Sequence, residues 1–202
     1  MVGFWGLRLA WHMHRRNHGQ AEDTRYADML GDAPFSVAVR KVFVTQSLAL
    51  WFVSLPIQVS AIAGPGVTWV MVVGVAVWVI GVLFETIGDA QLAAYKRDPD
   101  RRPVMDRGLW AWTRHPNYFG DACVWWGIWL VGGLASGWVI GLATVIAPIA
   151  MTWFLIGVTG VRMTEEHMME RPAYRAYAER TSMFFPLPRR SPAAGRHTHR
   201  GP

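Results

Sequence analysis

Charge is missing where a soluble protein of this length would need it. Residues 42 to 84 contain no Asp, Glu, Lys or Arg, and residues 122 to 161 contain none either. Each run can hold two helical spans of about 20 residues, the length that crosses a hydrocarbon layer of about 30 Å. A water-soluble core has no use for such runs, which excludes an ordinary globular domain.

Cysteine is nearly absent as well. Cys123 is the only one, which excludes an internal disulfide, and its place inside an apolar run fits a packed thiol. The N-terminus lacks a basic start, a short apolar run and a small-residue cleavage site in that order. No cleavable signal peptide is therefore expected, and insertion relies on the internal spans. Metal-ligand spacing is also missing: His12, His14, His197 and His199 have no Cys or carboxylate suitably placed along the chain, and no metal site is expected.

What the sequence does contain is apolar and aromatic. Of 202 residues, 52% are hydrophobic and 12 are Trp, against 17% charged. The net charge of +6 does not point to nucleic acid, because basic residues beside membrane spans serve topology. The expected partner is a lipid bilayer, and nucleic acid is not expected.

Met1 to Arg16 reads as the end of a helix leaving the membrane. A polar segment with Glu22, Asp23, Asp28 and Asp32 follows, expected as a cytosolic loop with a short helix. The first span runs from Val42 to Ala63 and the second from Val67 to Lys96, joined by a tight hairpin at Gly64, Pro65 and Gly66. A basic loop, Arg97 to Arg114, holds the turn Asp106, Arg107, Gly108. Pro116 suits the first turn of a third span ending at Val131, since its missing N–H costs nothing there. Gly132 to Gly137 is a second uncharged hairpin, and the fourth span covers Trp138 to Val161 with a kink at Pro148. An amphipathic helix from Arg162 to Glu179 is interrupted by Pro172, and the tail from residue 189 onward is expected to be disordered.

The pattern therefore predicts an all-α, polytopic transmembrane bundle of about four full spans, plus an N-terminal helix and a C-terminal amphipathic cytosolic helix. Residues 1 to 188 form one membrane domain and 189 to 202 the basic tail. All 20 Lys and Arg fall in residues 1 to 41, 96 to 114 and 162 to 202. Four spans joined by two uncharged hairpins put these segments on one side, which the positive-inside rule makes the cytosol. The expected location is an inner (plasma) membrane, with both termini and the basic loop cytosolic.

Several ionisable residues lie where lipid should be. Glu85, Asp89, Leu92 and Lys96 share one face of the second span, and Asp121 sits one turn inside the third, four residues after Asn117. An acid at the bilayer centre costs about 2.5 to 3.5 kcal/mol, and less near the edge. Two accounts are open: the acids pair with Lys96, Arg102 or Arg114 as structural ion pairs, or they form a polar pocket whose basic rim suits phosphate. Trp125, Trp126 and Trp129 either line a hydrophobic substrate channel or anchor helices at the interface. Met163, Met168 and Met169 are expected to pack. Arg162 and Glu166 are spaced as a salt bridge, and spacing alone favours a solvated face for Glu165 and Glu166. Tyr174 and Tyr177 are placed to pack the last helix onto the loop.

The run Gly108, Leu109, Trp110, Ala111, Trp112, Thr113, Arg114, His115, Pro116, Asn117, Tyr118, Phe119, Gly120, Asp121 resembles a hallmark of one membrane enzyme superfamily. Steroid 5α-reductases, sterol reductases and isoprenylcysteine carboxyl methyltransferases belong to it. Phe84 to Gln91, and the closing run from Thr164 through Glu165, Glu166 and His167 to Tyr174, Tyr177 and Phe184 to Pro186, narrow the resemblance. Together they are similar to the bacterial domain-of-unknown-function 1295 family, whose members resemble steroid 5α-reductases. The likeness runs to about Pro188.

The resemblance implies an NADPH-dependent oxidoreductase that reduces the carbon–carbon double bond of a lipophilic enone, steroid-like or otherwise. S-adenosylmethionine is the alternative cofactor, for methyl transfer to a lipid or prenylated substrate, and a non-catalytic membrane subunit is a third reading. Positions matching Asp89, Asn117 and Asp121 would contact the cofactor, with Lys96, Arg102 and Arg114 on its phosphates. His115, Tyr118, Arg162, Glu165 and Glu166 join that cofactor set, Arg8 matches an N-terminal basic position, and Glu85, Trp125 and Trp129 are the candidate substrate contacts. Asp89 followed by a basic residue at Lys96 favours the reductases. Reductases of the superfamily usually carry further helices before the point matching Met1, with a Glu and a Tyr that polarise the substrate ketone. The chain is therefore expected to be a truncated or reduced relative, with no catalytic acid assigned. Glu85 stands where the steroid enzymes tend to carry Asn.

Overall fold

The computed structural model describes residues 1–18, 34–158 and 160–189. The acidic segment with Glu22, Asp23, Asp28 and Asp32 lies outside them, as does the expected disordered tail from residue 190 on; the tail's first residue, Arg189, is described and is held by Ala111 O and Asp106, which corrects the expectation there. Every regular element among the described residues is helical, and one isolated parallel bridge joins Thr113 and Ser182.

In chain order, α1 is Val2–Asn17 and α2 is Phe35–Ala38, which passes through a π-helical stretch, Val39–Val44, into α3, Thr45–Val53. Helix α4 is Leu55–Ala63 and α5 is Thr68–Arg97. After the basic loop come α6 (Pro116–Gly132), α7 (Trp138–Thr144) and α8 (Ile146–Trp153), followed by a second π-helical stretch, Phe154–Val158. Two short helices close the chain, α9 at Val161–Met168 and α10 at Pro172–Arg180.

Helix α5 is rich in Val, a poor helix former in water. In hydrocarbon the choice is different, because every backbone N–H and C=O must be satisfied within the segment. Thirty residues give α5 about 45 Å, more than the hydrocarbon thickness, so its polar end from Glu85 to Arg97 can project beyond it. Thr68–Arg97 and the helical run Trp138–Met168 are long and apolar enough to cross a membrane. The pair Val39–Val53 and Leu55–Ala63, bent by 47°, adds a third if it is one span. Helix α6, expected as a full span, has 17 residues, about 26 Å and the short end of the spanning range.

The first expected span is thus not a straight helix. Pro56 cannot donate to the carbonyl four residues back and its ring crowds that turn, so the helix breaks at Ser54. Pro148 acts in the same way on the carbonyl of Thr144, where α7 ends, with only Val145 between it and the start of α8.

The chain divides into two compact units, residues 1–78 with 125–150, and residues 79–124 with the described part of 151–202. In the first unit the two hairpins meet: the backbone N–H groups of Gly66 and Val67 both donate to Ala135 O, at 2.8 and 3.0 Å. Trp5 stacks edge-on against Trp125 with centroids 5.6 Å apart, and Trp129 Nε1 donates to Gly141 O at 3.0 Å. Gly74 and Gly127 let α5 and α6 approach so closely that a Cβ on Gly127 would lie 2.7 Å from the Trp78 backbone nitrogen.

In the second unit the same device recurs between Gly81 and Gly120, where a Cβ on either would stand 2.6 Å from the other's carbonyl oxygen. Gly88 rests on the Pro116 ring. Small residues at seven-residue steps let two apolar helices touch backbone to backbone, which is how helices associate without a hydrophobic driving force. Met163 and Met169, expected to pack, are exposed instead.

Candidate functional site

Glu85, Asp89, Lys96, Arg102, Arg114, His115, Asn117, Tyr118, Asp121, Arg162, Glu165, Glu166, Tyr174 and Tyr177 all belong to the second unit. Its centre is built by the basic loop and the start of α6. Gly108 takes the positive φ of 59° that lets the turn close, and the loop is then pinned to α5. Leu109 N–H donates to Gln91 Oε1 at 3.0 Å, and Trp110 Nε1 donates to Gly88 O at 3.1 Å. From the other side, residues 182–187 run beside residues 112–114. Arg114 N–H donates to Ser182 O at 2.9 Å, Leu187 N–H donates to Trp112 O at 3.0 Å, and the Thr113 hydroxyl donates to Phe184 O at 2.8 Å. The Tyr177 hydroxyl donates to Trp110 O at 2.5 Å, which docks α10 on the loop as expected.

This frame buries Arg114 and His115 against α9 and α10. His115 Nε2 and the Tyr174 hydroxyl each lie 2.8 Å from Glu165 Oε1, and Arg114 Nε lies 3.3 Å from the same oxygen. A carboxylate only accepts, so His115 carries its proton on Nε2. The buried carboxylate and guanidinium match each other's charge, and burial with the bond to Glu165 pushes the Tyr174 hydroxyl well above the usual phenol range. Tyr118 stacks on the His115 ring with an interplanar angle of 20°.

The solvated face expected for Glu165 is therefore corrected. Residues 165 and 166 point to opposite sides of α9: Glu165 is 8% exposed, whereas the Glu166 side chain is 68% exposed and pairs with Arg162 at 3.2 Å. Arg114 engages Glu165, and Arg102 lies 3.7 Å from Asp106. Lys96 is exposed at the end of α5. Glu85 is buried, Asp89 and Asp121 are half-buried, and Asn117 is half-buried with a buried Oδ1 that accepts no hydrogen bond from a described residue. Arg8, Trp125 and Trp129 belong to the first unit, where Trp129 is spent on the hairpin contact.

One organising residue escaped the sequence reading. Asp106 is buried and gathers Arg180 at 3.1 Å, Arg189 at 3.6 Å and Arg102 at 3.7 Å. Its place in an Asp-Arg-Gly turn marks a turn, and nothing in the spacing connects it to residue 180. Beside it, residues 95–107 enclose a cavity of about 150 Å³ lined by Asp98, Asp100, Arg101 and Arg102 among others, so its wall is mixed in charge instead of uniformly basic.

A family model covers residues 1–181. The chain belongs to the DUF1295 family of proteins of unknown function. The match takes in α1 through α10 and both partners of the His115–Glu165 contact. This DUF1295 chain is also similar to an uncharacterised protein of Schizosaccharomyces pombe, 34% identical over 80 residues, which is 39% of this chain and 22% of that protein. No solved structure matches.

Proposed function

We propose that the protein is a membrane-embedded reductase that uses NADPH to reduce the carbon–carbon double bond of a lipophilic enone, with its basic loop and C-terminal helices on the cytosolic side. The observation that carries this reading is Asn117: its Oδ1 is buried and without a donor among the described residues, one turn from the half-buried Asp121. A buried acceptor left without a donor costs about 1–3 kcal/mol, a cost that a ligand with N–H or O–H groups removes. The carboxamide and ribose hydroxyls of a nicotinamide nucleotide are such donors. Arg114 meets Glu165 through Nε, and Lys96 and Arg102 are exposed. That set of donors and acceptors fits the nucleotide.

Bound NADPH supplies the hydride. The protein's part is to orient and to exclude water. The contacts of Glu165 with His115, Arg114 and Tyr174 fix the start of α6, and with it Asn117 and Asp121, relative to α9 and α10. The apolar helices deliver a lipid-soluble substrate without passage through water.

Titration of the detergent-purified protein with NADPH and, separately, with S-adenosylmethionine tests this. Saturable binding of NADPH alone is expected, and about 2.7 kcal/mol of added stability at one hundred times Kd. Binding of S-adenosylmethionine alone overturns the reductase reading in favour of methyl transfer, and binding of neither overturns both.

A further inference from the structure

The segment after α10 is not a span, yet it exposes a row of apolar side chains. Along residues 182–187 exposure alternates. Met183, Phe185 and Leu187 are 40%, 64% and 49% exposed, while Phe184 is buried; the Phe184 and Phe185 rings both meet Phe119 edge-on, and Phe185 keeps its outer side open. The segment is held to residues 112–114 by the hydrogen bonds already described, and Trp112, whose carbonyl accepts from Leu187 N–H, is itself 54% exposed. Four large apolar side chains thus flank one pairing, three residues of chain before α6 begins at Pro116.

Cations border the row. Arg189 follows it directly, donates to Ala111 O beside Trp112 and reaches Asp106, which it shares with Arg180 and Arg102. Arg101, Arg102, Arg107, Arg180 and Arg189 outnumber the carboxylates of Asp98, Asp100 and Asp106 beside them, which leaves positive charge in excess. An exposed Trp and aliphatic row bordered by Arg is the chemistry of the bilayer interface, where rings sit at headgroup depth and cations meet lipid phosphate.

We infer that the pairing of residues 112–114 with 182–187 is a seat on the membrane surface: Trp112, Met183, Phe185 and Leu187 enter the headgroup layer of an anionic bilayer, and Arg180 and Arg189 beside Asp106 bind lipid phosphate. The seat holds the loop and α10 at the level where α6 enters the membrane. The inference does not depend on which reaction the protein catalyses.

The test uses the full chain with Cys123→Ser, carrying an environment-sensitive fluorophore at Phe185→Cys or Leu187→Cys, and at Arg175→Cys as an exposed control, in nanodiscs of anionic and of zwitterionic phospholipid. The labels at 185 and 187 are expected to be quenched by a phospholipid spin-labelled near the top of its acyl chain and shielded from aqueous iodide, with the control behaving oppositely. Replacing anionic by zwitterionic lipid should weaken the lipid quenching. Iodide access equal to the control overturns the inference. Shielding from both quenchers does so too, since it means that protein, from this chain or a second copy, covers the row. Lipid quenching unchanged by headgroup charge overturns the part assigned to Arg180 and Arg189. Far-UV circular dichroism and monodispersity of each labelled chain confirm that the variants fold.

Discussion

His115 Nε2 and Glu165 Oε1 are 2.8 Å apart across 50 residues of sequence, and the same oxygen takes the Tyr174 hydroxyl at 2.8 Å. One carboxylate thereby joins the start of α6, α9 and α10. Removing one member of a buried ion pair leaves the other charge uncompensated, at a cost of about 3–5 kcal/mol. Glu165→Ala should therefore lose most of its folded stability in detergent. Its neighbour provides the control: Glu166 pairs with Arg162 in water, and Glu166→Ala should change stability by less than about 1 kcal/mol. Chemical denaturation of the two variants side by side checks this, and equal losses would show that Glu165 is not the hub.

Asn117 should show the opposite balance. Its buried Oδ1 lacks a donor, so Asn117→Leu removes a polar group that the ligand-free protein does not satisfy. The variant is expected to be as stable as the parent, or more so by up to about 1 kcal/mol, while NADPH no longer raises its melting temperature. A variant that loses stability yet keeps its NADPH shift would make Asn117 a structural residue and remove the main support for the nucleotide site.

Much of the fold was legible because charge and breakers are one-dimensional signals. Charge-free runs marked α5 and the helices after residue 138, Pro116 marked the start of α6, and Gly64 to Gly66 marked the hairpin. Bends were less visible: an uncharged stretch reads alike whether the axis is straight or turned by 47° at Ser54, although Pro56 was there to be weighed. The site was half legible. Arg114, His115, Asn117 and Asp121 stood out, but the helical spacing of Glu165 and Glu166 could not say which one faces inward, because that depends on what packs against α9. Asp106 depends on pairing with residue 180, which no local pattern encodes. The Gly74, Gly81, Gly88 and Gly120, Gly127 steps were in plain view and carry the α5–α6 approach.

Those steps give a sharp contrast between glycines. A Cβ at Gly81 would meet Gly120 O at 2.6 Å, so Gly81→Ala must push α5 and α6 apart, an overpacking cost of about 1–3 kcal/mol. At Gly6 in α1 a Cβ meets nothing within 4 Å, and Gly6→Ala should be neutral or gain up to about 1 kcal/mol from helix propensity. Melting temperatures in detergent should fall for the first and hold or rise for the second. The same sign for both would mean that the glycine contacts do not set the α5–α6 approach.

Tyr174 and Tyr177 predict how the protein responds to alkali. Burial raises both phenols, Tyr174 further through its bond to Glu165, while the unfolded chain keeps the ordinary value near 10. A folded-state value above the unfolded one means that these hydroxyls stabilise fully below about pH 10. Above it, the unfolded chain releases protons that the folded chain retains, and stability declines as pH rises further. Tyr174→Phe removes one of the two ionisations and with it part of that slope. It also removes a hydrogen bond to a carboxylate, a loss of about 1.5–3 kcal/mol that is present at neutral pH. Melting temperature followed from neutral to strongly alkaline solution should show the variant starting lower and falling less steeply than the parent. Parallel curves would mean that Tyr174 titrates like an exposed phenol, and that its contact with Glu165 does not persist in solution.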